Sequence, residues 1–154
     1  LGKTHVSSEV HEKVIADLEG AGEASPHLEA LRSTAERARN AVYAADFDEL
    51  GRSMTDNTEE QRGLHPDLVS EDAQEVIDIA KAHGALGWKV NGAGGEGGSL
   101  TLMAGPSASA RRSLLREITK ANPLFQPIPT YLSRFGLRVW EGGGRDGKDL
   151  GRNR

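Results

Sequence analysis

The residues with the most specific chemical potential lie in one short run, Lys89-Val90-Asn91-Gly92-Ala93-Gly94-Gly95-Glu96-Gly97-Gly98-Ser99, which carries five glycines. Glycine adopts positive φ at no steric cost and leaves backbone N–H groups uncovered. Such a loop can gather donors around anionic oxygens or let a ligand come close to the main chain, and phosphate is the matching guest. The letters Gly92-Ala93-Gly94-Gly95-Glu96-Gly97 also satisfy the dinucleotide pattern G-x-G-x-x-G, which requires a helix after the third glycine. Ser99-Leu100-Thr101-Leu102 continues instead with strand alternation, so no helix N-terminus is offered to a pyrophosphate and that reading fails. No G-K-[ST] closes the run, which excludes a Walker-type loop. A plain hairpin connector is the bland alternative, but two residues suffice for one.

Other candidates are weighed beside simpler roles. Asn57 and Gln61 occupy positions on a helical stripe where apolar residues are expected. They are either substrate-facing groups or amides satisfied by neighbouring backbone, since a buried amide is costly unless bonded. Asn57 is carried as a binding candidate. Lys89 alternates with Trp88 and could neutralise a phosphate, although a lone lysine is ordinarily solvated. Lys3-Thr4-His5-Val6-Ser7-Ser8 offers hydroxyls before a helix, most simply an N-cap. The histidines 5, 11, 27, 65 and 83 show no metal-ligand spacing, and no metal site is expected. Arg111, Arg112 and Arg116 read as a solvated basic face.

A single domain of ordinary globular composition must position these residues: the chain has 154 residues, no cysteine and a net charge of −4. That charge gives no footprint for a nucleic-acid backbone, and the apolar runs are too short for a membrane span. The absence of cysteine excludes disulfides and thiolate chemistry and fits a reducing cytoplasm, the expected location. The chain opens Leu1-Gly2-Lys3-Thr4 without methionine, and an upstream part is expected to be missing. Residues 142–154 are expected to form a flexible, glycine-rich, charged tail.

Apolar periodicity predicts four helices first. The first spans about Ser8 to Glu19, stopped by Gly20. The second starts at Pro26 with a stripe of Leu28, Leu31, Ala35, Ala38 and Val42. The third follows Asp46 with Phe47, Leu50, Met54, Asn57, Gln61 and Leu64, and the fourth is capped by Ser70 and ended by Gly84. The period then changes to two. Leu86, Trp88 and Val90, then Leu100 and Leu102, predict two strands. A fifth helix opens at Pro106-Ser107 and closes at Asn122-Pro123, and Pro127–Ser133 and Leu137–Glu141 read as further strands. With one strand before Leu1 the order would be β-α-β-β-α-β. The expected class is therefore α+β: a ferredoxin-like antiparallel sheet with an inserted bundle of about four helices and a truncated first strand.

The stretch Gly84-Ala85-Leu86-Gly87-Trp88-Lys89-Val90-Asn91 followed by Gly92–Ser99 resembles the third motif of the GHMP kinases, the family of galactokinase, homoserine kinase and mevalonate kinase. There a strand enters a G-A-G-G-G-G loop. Met54, Asn57, Gln61, Leu64 and Val69-Ser70 resemble the helix and connection preceding it, and the Lys-Val-Asn start is closest to heptose-phosphate and fucose kinases. Glu96 departs from the pattern, standing where many members have a glycine. The resemblance implies that residues 1–141 are the carboxy-terminal domain of an ATP-dependent sugar or sugar-phosphate kinase. ATP and magnesium would serve the full-length enzyme, with neither held firmly by this domain alone. The family's ATP loop and catalytic aspartate belong to an amino-terminal domain and have no counterpart here, so the isolated chain is expected to be inactive. The site expected here is Asn91, Gly92, Ala93, Gly94, Gly95, Glu96, Gly97 and Gly98, with Asn57. Replacing Gly94 or Gly95 by a β-branched residue is expected to impair turnover more than stability, on the premise that the loop lies outside the core. The competing readings are a non-catalytic small-molecule-binding or regulatory domain and a protein-interaction domain on a ferredoxin-like sheet.

Overall fold

A computed structural model describes residues 1–3, 7–21, 25–92, 94–130 and 134–139. Helices α1 (Ser7–Ala21), α2 (Pro26–Ala44) and α3 (Phe47–Leu64) come first, followed by a 3-10 turn (Pro66–Leu68) and α4 (Glu71–Ala82). Strands β1 (Gly87–Asn91) and β2 (Ser99–Met103) and helix α5 (Ala108–Ala121) complete the order. Local chemistry sets the helix starts. Asp46 accepts from Glu49 N, Ser70 from Ala73 N and Ser107 from Ala110 N, each satisfying a donor the first turn leaves unpaired. Pro26 opens α2, where its missing N–H costs nothing. Helix α1 runs through Gly20 to Ala21, two residues beyond the end expected at Glu19.

The strands form an antiparallel hairpin with Trp88 opposite Leu102 and Val90 opposite Leu100. Period-two alternation sends Trp88 and Val90 to one face, where they pack with Val69 and with Ala73 and Ile77 of α4. Val76 and Ala80, on the same stripe of α4, meet Leu114 and Ile118 of α5 and Phe125, which folds back beneath that helix. Helices α4 and α5 thus cover one face of the hairpin.

Helix α3 lies along the outer edge of β1. Thr58 is wholly buried, and its Oγ1 accepts from the Val90 N–H at 3.2 Å and donates toward Trp88 O at 3.3 Å. The hydroxyl does for this strand edge what a neighbouring strand would do. Glycines permit the approach: a Cβ on Gly51 would collide with Leu86 O, and one on Gly87 with Gly51 O. Helix and strand backbones are therefore in direct contact.

Three expectations are corrected. The buried face of α2 holds Thr34 and Ala41, whereas Leu28 and Val42 of the expected stripe are exposed. The reason is polar pairing between α2 and α3. Arg37 reaches Glu49 and Asp56 at 2.8 and 2.7 Å, and His27 Nδ1 lies 2.7 Å from Glu60. The buried residues of α3 are Gly51, Ser53 and Thr58, small side chains suited to contact on two sides, and Phe47 is exposed. Among the described residues only β1 and β2 are strands: 127–130 and 137–139 are irregular, and Pro127 and Pro129 remove alternate donors that a ladder would use. Residues 131–133, Trp140, Glu141 and the expected tail 142–154 lie outside the described residues. The α+β class stands, with helices before and after the antiparallel hairpin.

Candidate functional site

The connection from β1 to β2 has an anchored part and a presented part. Gly94 and Gly95 are buried against the 3-10 turn, and the Gly95 N–H donates to Leu68 O at 3.4 Å. Gly94 has φ +66°, and a Cβ there would collide with Leu68 O; at Gly97, φ +75°, it would collide with Lys3 O. These are close backbone approaches that a larger residue would push apart. The premise that the loop lies outside the core is corrected accordingly. Two of its glycines are packed between layers, so stability as well as chemistry depends on them.

The presented part is Glu96-Gly97-Gly98. Glu96 is exposed, and among the described residues no hydrogen bond reaches the backbone N–H of Glu96 or Gly97, which form the centre of a turn closed at Gly98. Gly98 O accepts from the Leu1 nitrogen at 2.8 Å. Beside the loop, Lys3 pairs with Asp72 at 2.7 Å. That hydrogen bond raises the lysine above its ordinary pKa, against an opposing loss of hydration, with Glu96 adding to the rise.

At the loop's root Asn91 ties the strands together. Its Nδ2 donates to Ser99 Oγ and Thr101 Oγ1 at 3.1 and 3.0 Å, and its Oδ1 accepts from Thr101 at 3.2 Å. Asn91, Gly92 and Gly94 to Gly98 thus lie together on one connection, as the sequence suggests. Ala93 lies outside the described residues. Asn57 is elsewhere: its Nδ2 donates to Thr34 Oγ1 of α2 at 2.9 Å, on the interhelical side of α3. Gln61 Oε1 is buried without a hydrogen-bond partner. Sequence reasoning missed Thr58 and the carbonyl of Leu68, which anchor strand and loop. A threonine directly before the Glu59-Glu60 pair carries no local signal of either role.

The loop can therefore hold an anion by main-chain donors on a rigid base. Each hydrogen bond to a charged acceptor contributes about 1.5–3 kcal/mol. No group of acidic, histidine or cysteine side chains suited to a metal occurs among the described residues. None of the helices described is long and apolar enough to cross a membrane.

A family model described as "GHMP kinases C terminal" matches residues 38–123. A search of curated protein sequences gives no match. Among solved structures, the chain is similar to a crystal structure of L. major mevalonate kinase in complex with R-mevalonate. The TM-score is 0.62 at 21% identity, over 78% of this chain and 36% of that one. The likeness establishes a common fold, and this chain spans well under half the length of that protein.

Proposed function

Because the family match spans more than half of its length, the chain belongs to the GHMP kinases as their carboxy-terminal domain, and on that premise we propose that its glycine loop holds phosphate oxygens during phosphoryl transfer from ATP to a sugar or sugar-phosphate hydroxyl in the parent enzyme. Transfer of this kind depends chiefly on positioning and charge stabilisation, for which fixed backbone donors are suited. The unbonded N–H groups of Glu96 and Gly97 carry the proposal. Gly94 and Gly95, locked under the 3-10 turn, keep those donors in place before ligand arrives, so little ordering cost falls on binding. Asn91, bonded to Ser99 and Thr101 across the hairpin, fixes the loop's root.

ATP, with its magnesium, supplies the transferable phosphoryl group. The residues described here offer phosphate donors and no metal ligand set, so the metal's carboxylate falls to the amino-terminal domain, as do the main ATP loop and the catalytic aspartate. Asn57 is not drawn into the site, since its amide nitrogen is engaged by Thr34.

The test has two arms. In isotopically labelled chain titrated with pyrophosphate and with magnesium-ATP, amide shifts should concentrate at Glu96, Gly97 and Gly98. The isolated chain should release no ADP above buffer with any hexose or heptose phosphate, whereas the full parent polypeptide should. Loop amides that stay still, or turnover by the isolated chain, would refute this division of labour.

A further inference from the structure

The face of the hairpin turned away from α4 and α5 is polar and adjoins the glycine loop. Strand alternation places Lys89, Asn91, Ser99 and Thr101 there together, Lys89 opposite Thr101 and Asn91 opposite Ser99. The bonds among Asn91, Ser99 and Thr101 consume both amide protons of Asn91 and the hydroxyl proton of Thr101. The hydroxyl proton of Ser99 is not used by them.

Lys89 is different in kind from the other lysines described. Lys3, Lys13, Lys81 and Lys120 each lie within 4.0 Å of an aspartate or glutamate oxygen. Lys89 is half-buried, and its Nζ reaches only the carbonyl of Val90, at 3.0 Å. Loss of hydration holds its pKa below the ordinary value, with no nearby charge acting in either direction. A half-buried ammonium without a counter-ion is costly to keep, and an arriving anion would offset that cost.

We propose that Lys89 and the Ser99 hydroxyl form an anion subsite on this face, which takes the resident phosphate of a sugar-phosphate acceptor. The inference rests on the kinase reading and narrows it: the acceptor carries a phosphate before the reaction, and a neutral sugar lacks the group this face is built to hold. Lysine serves as a point charge here, leaving orientation to the hydroxyl. The subsite differs from the main-chain donors of Glu96 and Gly97, and one extended molecule can occupy both.

The chain is titrated with a hexose 6-phosphate, the matching neutral hexose and inorganic phosphate, following Lys89 side-chain signals and the Ser99 amide. The sugar phosphate and inorganic phosphate should move both; the neutral hexose should move neither. Lys89→Met should weaken sugar-phosphate binding about tenfold, the scale of one charged hydrogen bond, while Lys89→Arg should stay within about threefold of wild type. Thermal midpoints of both variants report folding, and Lys89→Gln replaces Lys89→Met if that variant is poorly folded. Unchanged affinity in Lys89→Met, or an equal response to the neutral hexose, overturns the subsite. The kinase reading fails separately, if the Glu96–Gly98 amides ignore magnesium-ATP while Lys89 still answers to the sugar phosphate.

Discussion

Replacing Gly94 by alanine separates a close backbone approach from a mere preference for positive φ. Gly94 and Gly92 share φ +66°, but a Cβ at Gly94 collides with Leu68 O whereas one at Gly92 meets nothing within 4 Å. Alanine at either position bears the left-handed penalty of about 1–2 kcal/mol. At Gly94 the added methyl must also push the 3-10 turn away, weakening the Gly95-to-Leu68 hydrogen bond, a further loss of about 0.5–1.5 kcal/mol. Gly94→Ala should therefore cost roughly 1.5–3.5 kcal/mol and Gly92→Ala roughly 1–2. For a chain of this size the gap of about 0.5–1.5 kcal/mol corresponds to roughly 1–6 °C in thermal midpoint. Gly98→Ala is the control: φ is not in the positive region, its Cβ would sit 3.4 Å from Gly94 O, and stability should change by less than about 0.5 kcal/mol. The assay is equilibrium urea unfolding followed by tryptophan emission, since Trp88 sits in the core beside the loop's first strand. Equal losses for Gly92→Ala and Gly94→Ala would refute the reasoning, because they would show that Leu68 does not constrain the loop.

Thr58→Val keeps the side chain's shape but leaves the Val90 N–H and Trp88 O without their hydroxyl, and should cost about 1–3 kcal/mol in the same assay; a change below about 0.5 would mean the strand edge is satisfied by other means. Asn57→Ala should lose about 0.5–1.5 kcal/mol of stability with the bond to Thr34 and leave the KM of the parent enzyme unchanged; a raised KM at unchanged stability would return Asn57 to the substrate. Burial holds the Lys89 pKa below its unfolded value, so between the two values the unfolded chain binds more protons and wild-type stability rises with pH. Lys89→Met should flatten that rise and be the more stable form at neutral pH, as urea midpoints at a series of pH values would show.

Much of the element order is legible in the sequence because it is written in local chemistry. Ser70 caps the helix it was expected to cap, the fifth helix opens after Pro106-Ser107, Pro26 opens α2, and the switch from period 3.6 to period two falls between Gly84 and Leu86 as the hairpin requires. What escaped depends on partners distant in the chain. Leu28 and Val42 make a proper stripe, but Arg37, Thr34 and His27 find bonding partners on α3, and that polar surface is the one turned toward it. The loop's glycines were visible as a cluster. The division between those that pack and those that present donors was not, because it is set by Leu68 O, against which Gly94 and Gly95 lie. Pro127 and Pro129 were the available warning against a strand from Pro127.

The sealing of β1 by α3 also sets the direction in which this sheet can grow. With Thr58 Oγ1 on Trp88 O and the Val90 N–H, and Lys89 Nζ on Val90 O, a further strand is kept from that side. The outer side of β2 borders a groove of about 400 Å³ lined by Leu100, Leu102, Leu115, Ile118 and Phe125. Among the described residues that is the side left open to an extra strand, from the same polypeptide or another, and to off-pathway self-association through a strand edge.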